Sequence, residues 1–148
     1  MFRVVVLFGP PTLRALADEV AASFPKRRYT AATTAMGEAD VSYLNAADVV
    51  VLVAAAELNG SPAADFGETS RALTGMNLAG RMAGLVTVGS SQSAGEAAAT
   101  LRRGLDAGEG ISPATDCLLQ SPDQTADARR WAKSVATEFA ELKRNWVG

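Results

Sequence analysis

The run Asp48-Val49-Val50-Val51-Leu52-Val53-Ala54 constrains this chain more than any other stretch. Successive side chains of a strand point to opposite sides, so a strand with one wet face alternates apolar and polar residues. Here both sides are apolar and both must be covered. That is the situation of an inner strand in a parallel sheet with helices on either side. Arg3-Val4-Val5-Val6-Leu7-Phe8 has the same character and ends in Gly9-Pro10-Pro11, which predicts a second buried strand and a sharp exit.

The rest of the chain alternates with these two runs. Leu13, Leu16, Ala17, Val20, Ala21 and Phe24 fall on one face at helical spacing until Pro25 stops the pattern. Tyr29 to Thr34 predicts a more exposed strand, and a short helix is expected within Ala39 to Ala46. Beyond Ala54 a helix is expected from about Ser61 to Leu73, with Ser61 as N-cap and Pro62 at the first helical position, where its missing N–H costs nothing. Met82 to Gly89 reads as a strand, Ala94 to Leu105 as an Ala-rich helix, and Thr115 to Leu119 as a short fifth strand. A last helix over about Gln124 to Trp146 places Trp131, Val135, Phe139, Leu142 and Trp146 at spacings of three and four. Five strands alternating with helices predict one α/β domain over 1–148, a three-layer sandwich around a five-stranded parallel sheet. The expected strand order is the flavodoxin-like 2-1-3-4-5.

Composition removes several chemistries. The chain has no histidine, which excludes Ser-His-Asp and Cys-His catalysis and any His-based metal site. No metal ligand set is expected. The single cysteine, Cys117, rules out an internal disulfide, fits a reducing compartment and reads as a small buried hydrophobe. No apolar stretch approaches the roughly 20 residues of a membrane span. Met1-Phe2-Arg3 leads into the Val-rich run without a small-residue cleavage site, so no signal peptide is read and a cytoplasmic location is expected. A net charge of −2 gives no case for nucleic acid, and Lys26-Arg27-Arg28 reads as a solvated turn.

In an open α/β sheet, ligands bind beyond the carboxyl ends of the strands, where strand order reverses. The loops concerned are Gly9 to Thr12, Ala55 to Ser61 and Gly89 to Gly95, all rich in glycine or small polar residues. Each also suits a plain connection: a Thr12 N-cap, a turn plus helix cap over Glu57 to Ser61, and a flexible Gly/Ser loop.

The order and content of these loops resemble the NADPH-dependent FMN reductase family. Glu57-Leu58-Asn59-Gly60-Ser61 after a Val-rich strand is similar to that family's Glu-Tyr-Asn-Gly-Ser loop. Leu78-Ala79-Gly80-Arg81-Met82-Ala83 is similar to its approach to the fourth strand, and Gly89-Ser90-Ser91-Gln92-Ser93-Ala94-Gly95 to its Gly/Ser-rich loop beside the flavin. The resemblance implies an FMN-binding oxidoreductase in which the flavin carries hydride or electrons, with NAD(P)H as co-substrate. No protein side chain would then be catalytic. Backbone groups of Glu57, Leu58, Asn59 and Gly60 would approach the ring, and Ser90, Ser91, Gln92, Ser93 and Gly95 would flank its polar edge. The phosphate would fall to Gly9, the Thr12 hydroxyl, the N–H groups of Leu13 and Arg14, and the Arg14 guanidinium.

Two positions depart from the family's pattern. Leu58 stands where an aromatic is usual. The phosphate loop is shortened to Gly9-Pro10-Pro11-Thr12, and two prolines remove two N–H donors. Weak FMN affinity is therefore expected, and the alternative is a flavodoxin-like domain that has lost FMN and serves as a binding or interaction module. A homodimer is also expected, from the apolar Phe66, Leu73, Met76 and Trp146 and from the family's association through the helix after the Asn-Gly loop.

Overall fold

In the computed structural model, which describes residues 1–36, Leu44, 46–56 and 77–147, the doubly apolar runs lie side by side. Strand β1 (Phe2–Gly9) pairs in parallel with β3 (Val49–Ala55), Val4 opposite Val49 and Phe8 opposite Val53. On its other side β1 pairs with β2 (Tyr29–Ala35), and β3 pairs with β4 (Met82–Val88). Strand β5 (Cys117–Leu119) closes the edge beside β4. The order is β2-β1-β3-β4-β5 and every pair is parallel, as the sequence predicts.

Three helices are described: α1 (Arg14–Ala22), α2 (Ser91–Ala107) and α3 (Thr125–Val147). The pleat sorts the apolar side chains into two cores. Val4, Val6, Phe8, Val49, Val51 and Val53 share one core with α1 and α3. Val5, Leu7, Val50 and Leu52 face Ala98, Leu101 and Leu105 of α2 in the other. The expected helix Ser61–Leu73, the Glu57–Gly60 loop and the side chains of Phe66, Met76 and Trp146 lie outside the described residues. Of the expected helix within Ala39 to Ala46, Leu44 is described and is buried. No helix among the described residues is long and apolar enough to cross a membrane.

Three boundaries differ from the sequence reading, each for a local reason. The fifth strand starts at Cys117, two residues late. The Thr115 carbonyl, a group the ladder with β4 would use, is taken by the Trp131 indole N–H at 2.8 Å, and the next side chain, Asp116, pairs with the Arg102 guanidinium at 2.5 Å. Helix α2 starts three residues early because Ser90, not an alanine, provides the N-cap: its Oγ accepts the Ser93 N–H at 3.1 Å. The expected Thr12 cap is absent. Thr12 sits inside a 3-10 turn, Pro11–Leu13, with no capping side-chain bond.

Tyr29 anchors α3 to the start of β2. Its hydroxyl donates to the Ala136 carbonyl at 2.6 Å, and its ring meets Phe2 and Phe24 at 5.5 and 5.2 Å. Burial pushes the phenol up to about 12, against the opposing pull of Arg28. A phenol that titrates higher when folded than its ordinary value of about 10 contributes stability that is intact below that value and lost as pH rises through the folded value. Urea midpoints are therefore expected to fall between pH 10 and 12 in the native chain and to fall less in Tyr29→Phe. At neutral pH the same substitution removes one hydrogen bond and is expected to cost about 1 kcal/mol. Equal alkaline slopes in the two proteins would show that Tyr29 does not carry the effect.

Candidate functional site at the carboxyl edge of the sheet

Strand order reverses between β1 and β3, so the switch point of this sheet lies beyond Gly9 and Ala55. The register brings the exits of three strands together: Gly9 is opposite Ala54, and Ala55 is opposite Val88. The Ala56 N–H then donates to the Val88 carbonyl at 2.9 Å, holding the β3 exit against the β4 exit. Gly89 is required at this seam. A Cβ there would come within 2.7 Å of Ser93 Oγ and 3.1 Å of Ala56 Cβ. Ala56 is the last described residue before Glu57, Leu58, Asn59 and Gly60, which lie outside the described residues.

The first loop differs most from the sequence reading. The sequence reading gives Leu13 and Arg14 free N–H groups for an anion. Instead the Leu13 N–H donates to the Pro10 carbonyl at 3.0 Å, and the Arg14 N–H to the Pro11 carbonyl. The two prolines thus remove their own donors and supply the acceptors that occupy the next two. The Arg14 guanidinium lies 5.8 Å over the Phe8 ring, a cation–π distance that leaves its charge and N–H donors in place. What the loop retains for an anion is the exposed Thr12 hydroxyl and the exposed Arg14 guanidinium, with no free main-chain N–H at Leu13 or Arg14. A phosphate dianion needs several N–H groups at a helix start. The described residues do not fit the phosphate of FMN.

The third loop is well ordered by its own side chains. Ser90 Oγ donates to Ser93 Oγ at 2.8 Å while capping α2, and Ser93 is buried. Gln92 Nε2 donates to Glu96 Oε1 at 3.1 Å along the helix. Ser91 Oγ accepts the Gln120 side-chain amide at 2.9 Å. Gly95 has no such role: the nearest contact of an added Cβ would be Leu118 Cδ1 at 4.0 Å. The sequence reading missed the loop after β5, where Gln120 and Ser121 N–H groups both donate to the Gln124 Oε1. Its signal was available, since the order 2-1-3-4-5 carries the exit of the fifth strand beside that of the fourth.

Cys117 gives this edge no nucleophile. Burial, with Asp127 and Asp116 adding to it, pushes the thiol up to about 11, so it stays protonated at neutral pH. No cluster of three or more metal-ligating side chains occurs among the described residues.

No family model matches the chain, and no curated protein matches it in sequence. Solved structures do match in shape. A mutant of the flavodoxin from Pseudomonas aeruginosa has a TM-score of 0.79 at 15% identity, over 93% of this chain and 99% of that one. A flavodoxin mutant from Fusobacterium nucleatum, described as bound to flavin mononucleotide, has a TM-score of 0.72 at 14% identity, over 96% of this chain and 97% of that one. Rubredoxin:oxygen oxidoreductase from Desulfovibrio gigas has a TM-score of 0.77 at 17% identity, over 94% of this chain and 36% of that one. The chain therefore has the flavodoxin-like fold, with the strand exits of that fold gathered at one edge and an unusual first loop.

Proposed function

We propose that the chain binds a flavin at the carboxyl edge of its sheet and serves as an oxidoreductase domain that grips the ring rather than the phosphate. The observation that carries this reading is the convergence of the β1, β3 and β4 exits at the switch point, with Gly89 permitting the close approach of the last two. The Fusobacterium flavodoxin, matched over nearly its whole length, is described with FMN bound, which supports the same class of ligand here. When bound, a flavin supplies the hydride and electron chemistry. This chain's residues would hold and shield it: the Glu57–Gly60 backbone along the ring, and the rim built by Ser90, Ser91, Gln92 and Ser93 at its polar edge. The finer kinship, an FMN reductase using NAD(P)H and working as a homodimer, rests on the resemblance of the Glu57–Ser61, Leu78–Ala83 and Gly89–Gly95 stretches.

A second reading follows from the first loop. With the Leu13 and Arg14 N–H groups bonded to prolyl carbonyls, a domain that has lost the flavin and acts as an interaction module is the alternative. Flavin fluorescence quenching separates the two. Saturable quenching is expected with FMN and with riboflavin alike, with dissociation constants that agree within about threefold, which corresponds to less than 1 kcal/mol. No quenching by either flavin would leave the interaction module.

A further inference from the structure

The two edges of the sheet are guarded unequally. Strand β5 is three residues long, follows Pro113, and has the Arg102 guanidinium on the Ala83 carbonyl at 2.7 Å and on Asp116 at 2.5 Å. Short strands, prolines and charged side chains are the devices that keep sheet edges from pairing with other chains. Strand β2 ends the sheet on the other side and has none of them. Tyr29–Ala35 runs seven residues in unbroken register with β1 and holds no charge, no proline and no bulge. The Phe2 N–H donates to the Arg28 carbonyl at 2.8 Å, and main-chain groups alternate along a parallel ladder, so those of Thr30, Ala32 and Thr34 face β1. Those of Tyr29, Ala31 and Thr33 face outwards. The Tyr29 N–H is taken by the Pro25 carbonyl at 2.9 Å, whereas the N–H and C=O of Ala31 and Thr33 have no partner among the described residues. The Thr33 hydroxyl is turned aside to the Asp18 carboxylate on α1 at 2.9 Å. What this edge presents is main chain.

We propose that β2 pairs antiparallel with β2 of a second copy, about a two-fold axis at Ala32, joining two sheets into one. Ala31 of one copy then exchanges main-chain bonds with Thr33 of the other. Ala32 stands opposite Ala32, where paired strands come closest, to about 4.5 Å between Cα atoms, and a methyl side chain fits there. Thr30 stands opposite Thr34, a favourable cross-strand pair. The stretch Thr30-Ala31-Ala32-Thr33-Thr34 reads nearly the same from either end, as a contact between identical surfaces requires. A second copy also fits because one edge is open: pairing consumes it, and the guarded β5 edge stops growth at a dimer. This contact differs from the one the family resemblance implies, at the helix after the Asn-Gly loop, and it uses no residue of the carboxyl edge.

Sedimentation equilibrium of the full chain measures the contact. The mean mass is expected to rise with concentration from 15.3 kDa towards twice that value. Thr33→Pro removes an outward N–H without touching the ladder to β1, and with it a symmetric pair of bonds in the dimer. Association is expected to weaken by about tenfold or more. Ala32→Lys brings like charges face to face at the axis and is expected to weaken it as much. The cavity of about 220 Å³ beside Ala32 gives the new side chain room in the monomer, which keeps the test open if the proline variant fails to fold. Leu118→Lys charges the opposite edge, where Leu118 is 50% exposed, and is expected to leave association unchanged. A mass of 15.3 kDa at every concentration would overturn the proposal. So would equal losses with Leu118→Lys, or a dimer that keeps its native strength in Ala32→Lys, since the copies would then meet through another surface.

Discussion

Trp131→Ala is expected to cost about 3–5 kcal/mol of folding stability, the upper range for removing a large core side chain. For a domain whose total stability is about 5–15 kcal/mol, that is about a fifth or more of what holds it folded. The indole of Trp131 does three things at once. It is 8% exposed, in the core shared by α1 and α3. Its N–H takes the Thr115 carbonyl at 2.8 Å and so pins the segment leading into β5. It also stands directly on the backbone of β4, where Gly84 leaves room. A Cβ at Gly84 would lie 2.7 Å from the indole Cη2 and 2.9 Å from Cζ2, distances that real Cβ atoms do not tolerate. Gly84→Ala should therefore destabilise by about 1–3 kcal/mol through overpacking, even though a strand interior otherwise favours alanine over glycine. The two effects are coupled: once Trp131 is alanine, adding Gly84→Ala should cost little or recover stability. Urea unfolding of the four proteins measures this coupling. Simple additivity would mean that the two residues do not depend on one another as their contact indicates.

Restoring donors to the first loop is expected to strengthen FMN binding by about one to two orders of magnitude while leaving riboflavin binding where it was. Pro10→Ser/Pro11→Thr adds two N–H groups and two hydroxyls at the end of β1, where the native loop offers the Thr12 hydroxyl. One charge-assisted hydrogen bond to the phosphate is worth about 1.5–3 kcal/mol, and each 1.4 kcal/mol or so is tenfold in affinity. Riboflavin is the control because it carries the same ring without the phosphate. If FMN affinity stays at the native value, the phosphate does not reach this loop. A parallel gain by riboflavin would mean that the substitutions act on the ring pocket instead. Either result sinks the assignment of the first loop as the reason for weak phosphate grip.

The sheet was legible because its strongest signal is covalent and local. Val49 to Val53 cannot be wet on either face, and the alternation of strands and helices then leaves few topologies. What was not legible depends on where atoms arrive in space. In the sequence Gly84 looks like a weakness inside a strand; its purpose is visible only once Trp131, 47 positions later, lands on it. The first loop was half legible. Counting prolines gives the donors they lack, but that their carbonyls also occupy the Leu13 and Arg14 N–H groups follows from the 3-10 geometry of Pro11–Leu13, which no residue count reveals. The shortened β5 has the same origin, because the Trp131 indole of α3 takes the Thr115 carbonyl that the ladder would use.

Helix α3 touches the sheet at three separated places: Phe139 against Phe2, the Ala136 carbonyl against Tyr29, and Trp131 against Gly84. These contacts tie the first, second and fourth strands to the last 23-residue helix of the fold. During synthesis that helix leaves the ribosome after all the described strands have emerged. Until it does, the valines on its side of β1 and β3 have, among the described helices, α1 alone to cover them, a state prone to association with other apolar surfaces. The fold is thus sealed from its carboxyl end, and the nascent chain is most exposed to chaperones in the interval between the completion of β5 and the docking of α3.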